Sequence, residues 1–223
     1  MSARRHLVIF DVDGTLVDSQ ADIVASMTAA FDDIGLPVPA RADILSIVGL
    51  SLDVAMARLA PQSDTARMVR TYKDSYSALR VSKGAASSPL YPGARAVLEH
   101  FAGRSDVVLG VATGKSKRGL DGLIAAHGLE GVFVTCQVAD FHPSKPHPSM
   151  IEAALRETGV ARSDAVMVGD TRFDMDMAAS AGVPAIGVSW GYHPRAHLTG
   201  AQQIIDSFDA LPAATDMIWR VLS

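Results

Sequence analysis

Two aspartates one residue apart, Asp11 and Asp13, close the apolar run Leu7-Val8-Ile9-Phe10 and are followed at once by Gly14-Thr15. Carboxylates this close repel each other unless a cation or a shared proton lies between them. A polar turn at a strand end accounts for an Asp and a Gly, but not for two carboxylates flanking apolar Val12. A calcium loop counted from Asp11 needs Gly at its sixth position and Glu at its twelfth. Leu16 and Asp22 stand there, so that pattern fails.

Three further polar sets follow apolar runs or sit in a stiffened loop. Thr113-Gly114-Lys115 joins a hydroxyl to a glycine that backbone amides can surround, which suits a phosphate oxyanion as well as a plain strand-to-helix turn. A nucleotide phosphate loop is excluded, because the Gly required five residues before Gly114 is Leu109. Lys145 lies among Pro143, Pro146 and Pro148, a stiff setting for a loop ammonium that would otherwise be solvated. His142 and His147 flank it without a further His or Cys, and read as packing or solvated groups. Asp170 ends another apolar run and Asp174 follows one helical turn later, so both can face one spot or cap a helix. Together Asp11, Asp13, Asp170 and Asp174 offer oxygen ligands alone, the donor set of Mg2+. Thr113, the amides near Gly114, and Lys145 suit a phosphate. A carboxylate beside Mg2+ can accept a phosphoryl group, and a second carboxylate can move protons.

Such a site needs strand ends that converge. Residues 6–10 read as a short buried strand. Asp18-Ser19 supplies N-cap chemistry for a helix with Ile23, Met27, Ala30, Phe31 and Ile34 on one face, stopped by Gly35 and Pro37. A segment over 39–48 closes at Gly49, a stripe of Leu52, Ala55, Met56 and Leu59 breaks at Pro61, and a last stripe carries Val69, Tyr72, Tyr76 and Leu79. The stretch 18–80 is thus helical throughout, and 83–92 reads as a linker. Beyond Pro92-Gly93 helices and strands alternate: helices over 94–101, 117–127, 150–158 and 175–181, strands over 107–112, 132–135, 165–168 and 185–189. An edge strand near Ile204-Ile205 and a final helix to Leu222 complete the pattern. The alternation predicts an α/β fold, a doubly wound parallel sheet with right-handed crossovers. The early helical block predicts a small all-helical cap, 18–87, inserted after the first strand of a core formed by 1–17 and 88–223. In such sheets ligands sit beyond the carboxyl ends of the strands, where the Asp pair lies.

The 223 residues are 48% apolar, enough for a sizeable core, and the net charge of −4 offers no basic field for nucleic acid. Cys136 is the single cysteine, which excludes an intramolecular disulfide and a cysteine zinc site, and its apolar neighbours suggest a buried thiol. The basic start runs into an apolar stretch that Asp11 cuts too short for a signal peptide, and no run reaches membrane-span length. A soluble cytoplasmic protein is expected.

In order along the chain, Asp11-Val12-Asp13-Gly14-Thr15, Thr113-Gly114, Lys145-Pro146 and Gly169-Asp170-Thr171-Arg172-Phe173-Asp174 resemble the four motifs of the haloacid dehalogenase superfamily. The 18–80 insert resembles the helical cap of its phosphoglycolate phosphatase and β-phosphoglucomutase relatives, so the resemblance covers essentially the whole chain. It implies that Asp11 is the nucleophile that becomes an aspartyl phosphate, and that Asp13 protonates the leaving oxygen and then activates water. It implies that Thr113, Gly114 and Lys145 hold the phosphoryl oxygens, with Lys145 also offsetting the charge on Asp11. Mg2+ would bind the Asp11 carboxylate, the Asp13 backbone carbonyl and Asp170, while Asp174 supports the metal shell or orients Lys145.

Within that superfamily Asp13 argues for phosphoryl over carbon–halogen chemistry. Phosphonoacetaldehyde-cleaving relatives use a cap lysine as a Schiff base; Lys73 and Lys83 are the cap-side lysines here, and both read as solvated. The mutases' Gly-x-Ser-Arg turn becomes Gly49-Leu50-Ser51-Leu52, leaving Arg58 as a substitute for the missing arginine. The resemblance therefore implies hydrolysis of a small phosphorylated metabolite, phosphoglycolate first, with 49–53 and 190–193 lining the site. A phosphosugar mutase, a phosphonate or pyrophosphate hydrolase, and a non-catalytic binding module are the competing readings.

Overall fold

The computed structural model describes residues 4–221. Six strands form one parallel sheet: β1 (His6–Phe10), β2 (Val107–Thr113), β3 (Thr135–Val138), β4 (Ala165–Gly169), β5 (Ala185–Val188) and β6 (Gln203–Ile205), in the spatial order β3-β2-β1-β4-β5-β6. Strands covered on both faces need apolar side chains pointing both ways. In β1, Val8 and Phe10 enter one cluster with α5 (Ala94–Ala102), α6 (Lys117–His127) and α9 (Leu211–Val221), while Leu7 and Ile9 enter another with α7 (Ser149–Thr158) and α8 (Arg172–Ala181).

Between β1 and α5 lie α1 (Gln20–Asp33), α2 (Arg41–Ser46), α3 (Leu52–Leu59) and α4 (Thr65–Lys83). Their apolar stripes pack on one another in a third cluster around Met27, Phe31, Ile44, Met56 and Met68, joined by Phe173 of α8. The segment after α4 is not a bare linker: residues Gly84–Ser87 form a short 3-10 turn, and Leu90 bridges to Val17. α9 ends the described chain at Val221, so the expected last residue of the final helix, Leu222, lies outside the described residues.

One strand differs from expectation. The apolar run 132–135 was the natural choice for a strand, but pairing begins at Thr135, and Val134 is 59% exposed. β3 has a single neighbour, β2, and its register sets Gly110 opposite Thr135, so position along the edge overrides local hydrophobicity. β1 sits where chain order reverses, between β2 and β4. Phe10 is level with Val111 and Val168, which brings Asp11, Thr113 and Asp170 out at one end of three adjacent strands. That crevice is where doubly wound sheets bind ligands.

Candidate active site

The β1 exit turns sharply: the amides of Thr15, Leu16 and Val17 all donate to the Val12 carbonyl. Gly14 takes φ +90°, and a Cβ there would overlap the Asp170 carboxylate, so glycine is required on both counts. Asp170 is held in place by the Thr15 hydroxyl, which donates to Oδ1 at 3.0 Å, and by the Tyr192 amide, which donates to Oδ2 at 2.7 Å. Thr171 and Asp174 form a capping box at the start of α8. The Thr171 amide and hydroxyl donate to Asp174 Oδ2 at 3.0 and 2.7 Å.

Lys145 is 1% exposed, and its Nζ donates to Asp11 Oδ1 and to Asp174 Oδ1, each at 2.7 Å. Asp174 thus has one oxygen on Lys145 and the other on Thr171, the geometry of a residue that orients the lysine. Burial opposes the Lys145 charge, but the two carboxylates outweigh it and hold the ammonium above its ordinary value. Burial lifts Asp11 to about 7; Lys145 pulls it down, and the charges of Asp174 and Asp13 push it further up. Burial, and then the charges of Asp11 and Asp174, raise Asp170 well above the usual carboxylate range. Three buried carboxylates share one ammonium here, and Asp11 Oδ2 is buried with no hydrogen-bond partner. Asp11, Asp170 and Asp174 each bring an oxygen within 4.8 Å of the others. An oxygen-only set, short of positive charge and with one oxygen unused, fits a hard divalent cation.

A cavity of about 240 Å³ opens over Asp11 and Asp13 between the sheet edge and α1–α4. Thr113, Gly114 and Lys115 line its floor, and residues 47–53 line the opposite wall. A Cβ on Gly114 would lie 2.5 Å from the Leu50 carbonyl oxygen and 2.8 Å from that of Gly49, so glycine lets the two sides close together. The Ser51 amide donates to Ser144 Oγ across the same seam at 2.8 Å. Arg80 of α4 lies over α6 and donates to the carbonyls of Arg118 and Gly119 at 3.1 and 3.3 Å. A Cβ on Gly122 would overlap its guanidinium.

The structure therefore brings Asp11, Asp13, Thr113, Gly114, Lys145, Asp170 and Asp174 to one strand-end region, with Lys145 behind Asp11 and away from the cavity surface. Two partners of Asp13 were not legible in the sequence. Lys115 Nζ lies 2.9 Å from Asp13 Oδ1, 3.2 Å from the Tyr76 hydroxyl and 4.6 Å from that ring's centroid. Burial opposes the Lys115 charge, yet Asp13 and Tyr76 hold the ammonium above its ordinary value. Ser19 precedes α1 without capping it; its hydroxyl donates to Asp13 Oδ1 at 2.5 Å and contacts the Tyr192 hydroxyl. Thr15 and Tyr192 likewise emerge as braces of Asp170.

Three expectations change. The segment 190–193 braces the site from behind and does not line the cavity, because Tyr192 is drawn to Ser19 and Asp170. Arg58 stacks over the Phe173 ring, 5.4 Å from its centroid, and is not among the cavity residues. Lys83 is not simply solvated, since its Nζ pairs at 2.6 Å with the buried Asp22 carboxylate, which Ser87 also reaches. His142 is a packing group, bonded to Ser149 and Gln137 at 2.8 Å each. Cys136 is half-buried, and burial raises its thiol, as expected of an inert group.

The family model for haloacid dehalogenase-like hydrolases matches residues 8–188. The chain is 34% identical over 225 residues to a protein of Dickeya dadantii named Probable phosphatase IndB, spanning 98% of this chain and 97% of that one. It is 34% identical over 216 residues to the phosphoglycolate phosphatase of Rhodospirillum rubrum, spanning 92% of this chain and 88% of that one. Among solved structures, a haloacid dehalogenase-like hydrolase of Streptococcus pneumoniae superposes with a TM-score of 0.82 at 26% identity, covering 94% of this chain and 98% of that one. No helix among the described residues is long and apolar enough to cross a membrane.

Proposed function

The chain belongs to the haloacid dehalogenase-like hydrolase family, and from that premise we propose that it is a Mg2+-dependent phosphatase acting on small phosphomonoesters. The observation that carries this reading is Asp11: a buried carboxylate under a cavity, ion-paired to Lys145 on one oxygen and unpartnered on the other. Asp11 attacks phosphorus, the bond from phosphorus to the ester oxygen breaks, and the phosphoryl group becomes an aspartyl phosphate. Asp13, facing the cavity, gives its proton to the departing alkoxide and then takes one from the water that attacks the phosphorus. That water's oxygen leaves in inorganic phosphate, and Asp11 is restored. Lys145 keeps Asp11 ionised for attack, and Asp174 fixes Lys145. The Thr113 hydroxyl and the amides near Gly114 receive phosphoryl oxygens. Mg2+, held by the Asp11 carboxylate, the Asp13 backbone carbonyl and Asp170, would supply the positive charge that these carboxylates and the phosphoryl oxygens need.

We assign α1–α4 to a cap, residues 18–87, and the remainder, 1–17 and 88–223, to the core. The close approach of Gly114 to 49–50 and the bonds of Arg80 to α6 support a closed position for that cap, which would keep bulk water from the reaction. The cytoplasmic setting read from the sequence belongs to this proposal. Leu52 at the cavity and Arg58 turned onto Phe173 leave α3 without an arginine for a second phosphate, which favours hydrolysis over mutase chemistry. Phosphoglycolate, named for several relatives, is the first compound to assay. Phosphate release from an aryl phosphate should require Mg2+ and vanish with EDTA or with Asp11→Asn. No release from a broad metabolite panel in the presence of Mg2+ would overturn the reading.

A further inference from the structure

The wall that faces the catalytic floor bears on which phosphomonoesters the cavity can take. It is built largely of apolar groups: Ile23 and Met27 from α1, Leu52 and Ala55 from α3, Val69 and the Tyr72 ring from α4. Tyr72 and Tyr76 stack nearly parallel, with centroids 6.0 Å apart and planes inclined by 14°, so an aromatic surface forms part of this wall. The Tyr72 hydroxyl makes no hydrogen bond among the described residues, and burial raises it well above its ordinary value, so it stands as a neutral donor.

Charge is arranged against a short acidic leaving group. The inner cations are engaged: Lys115 by Asp13 and Tyr76, Arg80 by two main-chain carbonyls. The remaining charged side chains of the cavity above its catalytic floor are exposed at the rim and of both signs, Lys73 and Arg118 with Asp53 and Asp140. In a two-carbon acid the carboxylate lies within two bonds of the ester carbon, so it would be carried into the apolar part of the cavity. There it would meet no free cation, and an unpaired buried carboxylate is strongly disfavoured. An uncharged ring instead covers apolar wall and can lie against the tyrosine pair. The volume of about 240 Å³ approaches the lower end for small-molecule sites, room for a ring-sized group.

We propose that this phosphatase selects phosphomonoesters of uncharged, ring-bearing alcohols over short carboxylated ones, with Met27, Leu52, Val69 and Tyr72 choosing the leaving group. The proposal rests on the phosphatase reading and narrows it. Its test compares three alkyl esters, so that leaving-group chemistry is similar: 2-phenylethyl phosphate, ethyl phosphate and 2-phosphoglycolate, each with the full chain and Mg2+. The phenylethyl ester should exceed both others in kcat/KM by at least about tenfold, the low end for a single buried methylene. Tyr72→Ala should bring the phenylethyl-to-ethyl ratio towards one, and Leu52→Arg should raise phosphoglycolate relative to phenylethyl phosphate. Because each readout is a ratio within one preparation, partial misfolding of a variant does not affect it. If phosphoglycolate equals or exceeds the phenylethyl ester, or if the phenylethyl-to-ethyl ratio is near one in the unmodified chain, the leaving-group proposal is overturned while the phosphatase reading stands. If none of the three esters nor any aryl phosphate is hydrolysed, both fall.

Discussion

In the metal-free protein, Asp11 should make folding less favourable as pH rises, the reverse of an ordinary ion-paired carboxylate. Burial is the largest cause of its shift from 3.8 to about 7, only partly offset by Lys145. Between those two values the folded chain holds a proton that the unfolded chain has released, so stability falls with rising pH across that window. A displacement of about three pH units, at 1.36 kcal/mol each, sets the scale at roughly 4 kcal/mol. Asp170 moves in the same direction. Other groups act differently. Asp33, Asp106 and Asp206 are lowered by their arginine or serine partners, so their stabilisation is present above the ordinary carboxylate value and is lost as pH falls below it. His142 and His193 are lowered by burial, so they favour folding as pH rises to about 6.5, inside the Asp11 window. Asp11→Asn keeps the contributions of these other groups, removes that of Asp11 and reduces that of Asp170, which the Asp11 charge helps to raise. Urea unfolding of both proteins in EDTA, from about pH 4.5 to 8, isolates the difference. The unmodified chain should lose roughly 2–4 kcal/mol relative to the variant as pH rises. Mg2+ at a hundred times its Kd should return about 2.7 kcal/mol to it at pH 8. A difference that is flat, or that slopes the other way, refutes the burial argument.

Three substitutions probe the rest of the site. Lys145→Met leaves Asp11 and Asp174 buried without their cation, which should cost about 3–5 kcal/mol in urea unfolding at pH 8 and abolish phosphate release. Its deficit should shrink near pH 5, where Asp11, lifted by burial, takes up a proton. Gly14→Ala meets both a left-handed backbone and the Asp170 carboxylate, so it should weaken Mg2+ binding by about 10–100-fold, read by the Mg2+ dependence of thermal unfolding. Lys115→Ala frees Asp13 from its core partner and Tyr76 from its cation, and should lower kcat by about tenfold, a fraction of the full acid–base contribution, with partial rescue by Lys115→Arg.

The catalytic floor was legible because each part is local: an apolar run, then polar residues within one turn of its end. Register then does what spacing cannot state, placing Phe10 level with both Val111 and Val168. What escaped the sequence depends on contacts between distant elements. Ser19 has the chemistry of an N-cap, but the Asp13 carboxyl lies within reach, so the hydroxyl turns to it. Lys115 follows Thr113-Gly114 in plain sight, yet its role depends on Tyr76, 39 residues earlier, lying across it. Residues 132–134 carry a strand's composition without a strand's pairing, because edge register is set by β2. Lys83 has no local signal at all; its partner Asp22 is 61 residues away.

Helix α6 carries Gly119 and Gly122 in its interior, and each glycine there is worth about 1 kcal/mol less than alanine. The room they leave is occupied by the side chains of Lys115 and Arg80, one from the core and one from α4. Intrinsic helix strength and the docking of α4 are therefore set against each other at Gly122. Gly122→Ala is the kind of change that stability screening rewards, since the flexible Arg80 end can swing aside. Its expected product is a firmer α6 with α4 held less closely against it, seen as an unchanged or higher melting temperature with a raised KM. Thermal selection alone would drive this enzyme towards a weaker hold between α4 and α6.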